Sequence, residues 1–425
     1  MKHKLCSYLQ VTTFGILSVA SIGSVQAGSA CHVSEAGTGN GSSWSQTIDL
    51  TTALADPGCS EIWVKQGTYY PTSGTDRNVS FVIDRAVRLL GGFEGTESML
   101  SQRVPGAYPT ILSGNIGDIN DETDNSYHVV FVDGTTANGP ITTSTEINGF
   151  TITQGYGEVT GVAQNTKGAG LYCDGTNAEC SPSLDNLTFI DNTSRYGAAL
   201  YISGYGNGVA NPEIKNSSFI LNQANLFGGA VYNDGYSGSV NPSFENVTFF
   251  GNEAMVGGAV HTRGWIAESY PSFNHTTFYL NAASNSGGAI GASTNENNPS
   301  VVLVTNSIFW GNSAVNNDPI AYMSHFSVIF EYSVLESGCP ANSACSDTTS
   351  SDPLLSPLGD HGGFTETLLP GANGSAVDSA LAGDCTSSDQ RGVLRPQGSG
   401  CDMGAVELTE LDNDIIFKNS FEDDM

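Results

Sequence analysis

The chain is short of charge, and shortest of positive charge. Of its 425 residues only 14 are Lys or Arg against 43 Asp or Glu, giving a formal net charge of −29, and all charged types together make up 13%. Phosphate backbones are held by basic footprints, so nucleic acid is excluded as a partner. The acidity is compatible with Ca²⁺ or with neutral polymers, and equally with nothing more than the solubility of an exported protein. Few charges combined with 51 glycines argue against a helical bundle and against an ordinary disordered acidic chain. Cysteines at CxxC spacing are missing, which removes the usual zinc signature. A glycine-aspartate nonapeptide run is missing too, so no cofactor is expected, and Ca²⁺ is permitted without being indicated by a motif.

No long apolar run follows residue 27, so no transmembrane segment is expected. Residues 1–27 themselves read as a cleaved secretory signal. Lys2 and Lys4 supply the positive start, a short apolar run extends to about Val25, and Val25–Ala27 offers small residues for cleavage. Losing this segment removes two lysines and no acids, making the mature chain still more acidic. The expected location is secreted, extracellular or at the cell surface.

Of nine cysteines, Cys6 leaves with the signal. The other eight fall into local pairs, Cys31/Cys59, Cys173/Cys180, Cys339/Cys345 and Cys385/Cys401. An even count in an exported chain reads as disulfides, with connectivity open at this level. A lipid anchor on Cys31 is the competing reading. "GSAC" lacks the aliphatic residue such sites carry, and lipidation would leave an odd number of thiols.

The middle of the chain repeats. "FIDN" begins at Phe189, "FILN" at Phe219, "FFGN" at Phe249, "FYLN" at Phe278 and "FWGN" at Phe309, spaced by 30, 30, 29 and 31 residues. A Gly-Ala run follows each of the first four, as "GGAVHTRGW" does at Gly257–Trp265. A fixed period of this length is a solenoid signature. Period-two alternation in "PSFENVTFF" and "PEIKNSSFI", with turn residues every ten positions or so, makes the units β. The fold predicted is an all-β parallel β-helix with strands stacked about 4.8 Å apart. The Phe of each FxxN stacks inside, and Asn192, Asn222, Asn252, Asn281 and Asn312 bond rung to rung at a turn. Asn-x-Ser/Thr triplets at Asn186, Asn216 and Asn246 lie inside the repeated β segments and carry no weight as glycosylation sites.

The Gly-Ala runs also align side chains. Leu171, Leu200, Val231, Val260 and Ile290 share the inward phase, so Tyr172, Tyr201, Tyr232 and His261 point outward on successive rungs. Asp174, Ser203, Asp234 and Arg263 follow two positions on, also outward. The expectation is an exposed aromatic column beside a polar one, with Trp265 and Tyr270 extending it. Rings at the rung distance are roughly commensurate with a sugar chain. The competing expectation is an aromatic ladder that only stabilises the sheet.

Outside the ladder, segments such as "EIWVKQGTYYP" and "RAVRLLGGFEGTE" read as earlier, irregular coils, and 155–168 as a longer loop. The organisation expected is residues 28–150 as N-terminal cap and first coils, 151–315 as regular repeats, 316–408 as a closing region and 409–425 as an acidic tail. FxxN alternating with GGA-[VI] resembles the polymorphic outer membrane protein repeat of bacterial surface proteins. "EIWVKQGTYYPTSGTDR…GGFEGTE…TILSG" and "DPLL…GGFTETLLPGANGSAVDSA…DQRG…DMGAVE" resemble the bacterial choice-of-anchor Q proteins. The resemblance implies a right-handed parallel β-helix with capped ends and a surface-related life. It implies no reaction, and the chain departs from autotransporter members in lacking a membrane barrel.

Chemistry leaves fainter traces. NTD, DD and RIK-like elements of a pectin hydrolase, a DPH motif and nucleophile motifs are all missing. A Ca²⁺-dependent lyase needs carboxylates and a basic residue for proton removal, and the ladder holds only Lys167, Arg195, Lys215 and Arg263. The reading is therefore a non-catalytic surface protein that binds a polysaccharide or glycan through Tyr172, Tyr201, Tyr232, His261, Asp174, Asp234, Arg263 and Trp265. A polysaccharide lyase or hydrolase with His261 and Arg263 handling protons is the rival. A purely structural stalk, or an adhesin recognising protein, is the third.

Overall fold

The computed structural model describes residues 30–412, apart from 137, 159–163, 268, 296–299 and 317. The secretory signal, part of the 155–168 loop and most of the acidic tail lie outside the described residues. What is described is a right-handed parallel β-helix. Each regular coil contributes one strand to each of three sheets. In one coil these are Ser183–Ile190 in sheet 1, Thr193–Tyr196 in sheet 2 and Leu200–Ser203 in sheet 3. The next coil repeats them at Glu213–Ile220, Gln223–Phe227 and Val231–Gly235. Neighbouring coils pair in parallel and in register, with Phe189 opposite Phe219 and Leu200 opposite Val231.

Register follows from stacking equivalent side chains. Phe189, Phe219, Phe249, Phe278 and Phe309 form one column, each ring 4.5–4.9 Å from the next and within 11° of parallel. Burying these rings supplies the main driving force, of order 2–3 kcal/mol per side chain. At the turn beside them the asparagines form a second column. Asn222 donates from Nδ2 to Phe189 O and to Asn252 Oδ1, both at 3.0 Å, while its own Oδ1 accepts from Asn192. A buried amide is costly unless satisfied, and the repeat satisfies every amide with its own copy one rung away. The Asn-x-Ser/Thr asparagines are also structural: Asn186, Asn216 and Asn246 kink sheet 1 at φ 51°, 47° and 54°. Asn tolerates that left-handed conformation better than most side chains.

All four predicted cysteine pairs are disulfides: Cys31–Cys59, Cys173–Cys180, Cys339–Cys345 and Cys385–Cys401. A short helix, Leu50–Ala55, covers the first coil with Leu50, Ala53 and Leu54 buried against the core. Asp49 caps it by accepting from Thr52 N.

The closing region does more than cover the far end. It runs back along the outer face of sheet 1, where Gln390 is wedged between Ser218, Thr248 and Thr365. "DQRG" and "DMGAVE" form its buried clasp. Arg395 pairs with Glu407 at 2.9 Å, Arg391 with Asp389 and Asp412 at 3.0 and 2.9 Å, and Asp389 accepts from Glu407 N.

Candidate functional site, a groove beside sheet 3

The turn from sheet 2 into sheet 3 is the Gly-Ala run, and its first glycine has a conformational reason. Gly257 sits at φ 68°, where a Cβ would meet Val260 O at 2.2 Å. Equivalent glycines at 168, 197, 228 and 287 are left-handed as well. Such a sharp turn brings the ends of the sheet 2 strands onto the outer face of sheet 3.

That corner decides the fate of the predicted aromatic column. Tyr172, Tyr201 and Tyr232 lie outside the main core, in the phase expected, yet only 2%, 2% and 3% of their surface is exposed. Tyr196, from a sheet 2 end, lies 5.6 Å from Tyr232 and Phe227 4.7 Å from His261, while His128 and Phe131 each pack 5.4 Å from Tyr172. The expectation of an exposed column is corrected: the tyrosines and His261 form a second, smaller core under the turn. Asp174, Ser203 and Asp234 are likewise buried. Desolvation raises the Tyr201 and Tyr232 hydroxyl pKa values, with Asp234 adding to it.

Over this layer opens a groove of about 420 Å³ lined by Lys167, Tyr205, Asp234, Arg263 and Ser293 among others. At its base the Asp234 carboxylate accepts from the Tyr201 hydroxyl and from Arg263 Nε and Nη2, the latter at 2.9 and 2.5 Å. The Arg263 guanidinium also lies 4.8 Å from the centre of the Tyr236 ring. Across the groove, Lys167 Nζ stands 4.8 Å above the Tyr201 ring and 5.7 Å from that of Tyr172. Burial lowers the Lys167 pKa, against the pull of Asp234 and Asp174.

His261 and Arg263 are brought together, and each is engaged by a neighbour. His261 stacks on Tyr232 at 5.4 Å and meets Ser293 Oγ through Nε2 at 3.1 Å. Burial, with Arg263 nearby, drives its pKa down to about 3. Burial pulls the Arg263 pKa down, but Tyr232 and Asp234 outweigh it and raise it overall.

The exposed aromatics stand two positions beyond the polar column. Tyr205 and Trp265 are 49% and 43% exposed, and Tyr205 stacks on Tyr236 at 5.8 Å. Tyr205, Tyr236 and Trp265 recur at the repeat period, a signal present in the sequence and hidden by the stronger Gly-Ala alignment. Of the remaining predicted residues, Tyr270 is 40% exposed on the loop that follows. Among the described residues no three His, Cys, Asp or Glu side chains gather into a metal-binding group. No described helix is long and apolar enough to cross a membrane.

No protein-family model matches the chain, and none of the curated proteins does. Among solved structures it is similar to pectate lyase Pel9A, with 14% identity and a TM-score of 0.45 over 89% of this chain and 96% of that one. A likeness that loose says nothing about the chemistry of the groove.

Proposed function

We propose that this is an exported surface or extracellular β-helix protein, of the choice-of-anchor Q and polymorphic-repeat kind, that binds a polysaccharide along the rim of the sheet 3 groove. The observation that carries the reading is the rim itself. Tyr205 lines a groove holding hydrogen-bonding and charged groups, Tyr236 stacks on it, and Trp265 follows at the same position of the next rung, which the reading takes as the continuation of the rim. Aromatic surface next to a few fixed polar groups suits sugars, which present both apolar C–H faces and hydroxyls. The four disulfides fit life in an oxidising compartment.

A glycan array followed by titration of the hits tests this. Replacing Tyr205 and Trp265 together with alanine is expected to abolish retention while the thermal unfolding of the protein is unchanged. Unaltered glycan retention by that folded variant would reject the rim as the binding surface and favour a structural stalk.

A further inference from the structure

The groove holds an unusual cation. The chain has 14 basic residues against 43 acidic ones, and the regular repeats contain four: Lys167, Arg195, Lys215 and Arg263. Two of these line one groove, Lys167 and Arg263. A third, Arg195, lies 5.5 Å from the ring of Tyr196, which lines it too. Lys215 sits on sheet 1, paired with Glu213. Placing scarce positive charge at one concave spot of an acidic protein is not what solubility alone requires.

The partners of these charges differ. Arg263 is matched by Asp234, whose carboxylate is further occupied by the Tyr201 hydroxyl and the Tyr236 N–H. Asp174, the other acid nearby, is buried and accepts from Thr176 N. Lys167 has no carboxylate within 4.0 Å among the described residues, only the faces of two tyrosines. A half-buried ammonium that no carboxylate touches, drawn only at longer range by Asp234 and Asp174, gains when an anion makes direct contact, because the cost of removing it from water has already been met on folding.

We propose that the ligand of this groove is an acidic glycan, whose carboxylate or sulfate sits on the Lys167 ammonium while its sugar rings lie along the Tyr205–Trp265 rim. The proposal rests on the glycan-binding reading above and narrows it to one substrate class. A groove of about 420 Å³ accommodates a short stretch of chain and not an extended polymer. The net negative charge of the protein opposes a polyanion at a distance, but ionic screening over about 8 Å at physiological salt confines the contest to groups inside the groove.

Isothermal titration of the full chain with oligo-uronates, the same oligosaccharides methyl-esterified, a sulfated oligosaccharide and a neutral one separates the alternatives. The acid form is expected to bind at least about tenfold tighter than its ester. Lys167→Gln is expected to erase that gap by weakening the acid form about tenfold, with thermal unfolding unchanged. Selective binding of the sulfated oligosaccharide, lost in the same variant, supports the site with a sulfate ester as the anion. Equal affinity for acid, sulfate and neutral forms, or a gap that survives in Lys167→Gln, overturns the acidic ligand while leaving glycan binding standing. If no glycan binds in any form, the underlying reading falls and this one with it.

Discussion

Arg263 and Asp234 face each other across adjacent rungs, 2.5 Å apart, with the carboxylate side chain 3% exposed and the guanidinium 32%. The pair forms the floor of the groove, and the Tyr201 hydroxyl completes it. Replacing Arg263 with methionine strands the buried carboxylate. Breaking a fully buried pair costs 3–5 kcal/mol; water reaching the arginine side reduces this to about 2 kcal/mol here. Denaturant unfolding of Arg263→Met and of Arg263→Met with Asp234→Asn checks this, the second change being expected to restore most of the loss.

The asparagine column predicts a gradient of effects. Asn252 donates to Phe219 O and Asn281 Oδ1, and accepts from the backbone N and the side chain of Asn222. Asn252→Ala leaves several buried groups unsatisfied at about 1–3 kcal/mol each, so a loss of at least about 3 kcal/mol is expected. Asn312→Ala, near the end of the ladder, should cost less. Equal losses at the two positions would show that the column does not act rung by rung.

Three histidines set an acid limit. Burial leads in each case, driving the pKa of His128 down to about 4 and those of His261 and His275 to about 3. The unfolded chain protonates histidine near 6.5. Between these values the unfolded state takes up protons that the native state refuses. Stability is therefore complete above pH 6.5 and falls as pH drops, by up to about 1.4 kcal/mol per pH unit for each histidine. Unfolding measured at pH 7.5, 6.5 and 5.5 should show this slope, and His261→Phe should reduce it.

Gln390 tests the strap. Its side chain is buried against sheet 1, donating to Ser218 Oγ and Thr365 Oγ1 and accepting from Thr248 Oγ1, all at 2.7 Å. Gln390→Leu is expected to cost about 2 kcal/mol. Limited proteolysis should then cut the closing region before the coils; cleavage at wild-type rates would assign the strap's attachment to the Arg391 and Arg395 ion pairs instead.

The repeat made the long-range neighbours of the ladder readable. Because strands pair in parallel one period apart, Phe219 had to meet Phe189 and Phe249, and Asn222 had to meet Asn192 and Asn252. The inward phase of Leu200 and Val231 was legible for the same reason, whereas the cysteine pairs were suggested by their even number and local spacing alone. Periodicity along the axis says which residues stack, but nothing about how sharply one sheet turns into the next.

That turn was decided by tertiary structure. Tyr172, Tyr201, Tyr232 and His261 point outward, as alternation requires, and are nevertheless buried: Tyr196 and Phe227 close over Tyr232 and His261 at the corner, and His128 and Phe131 pack against Tyr172. The exposed aromatics are Tyr205 and Trp265 instead, and Lys167 lies over the Tyr201 ring. The path of the closing region was equally hidden, since contacts such as Ser218 with Gln390 join residues with no shared period. Sequence alone determined the stacking of equivalent residues, because one repeat dictates its neighbour. Only the folded chain decided which outward side chains meet solvent, because that depends on surfaces brought together from different sheets.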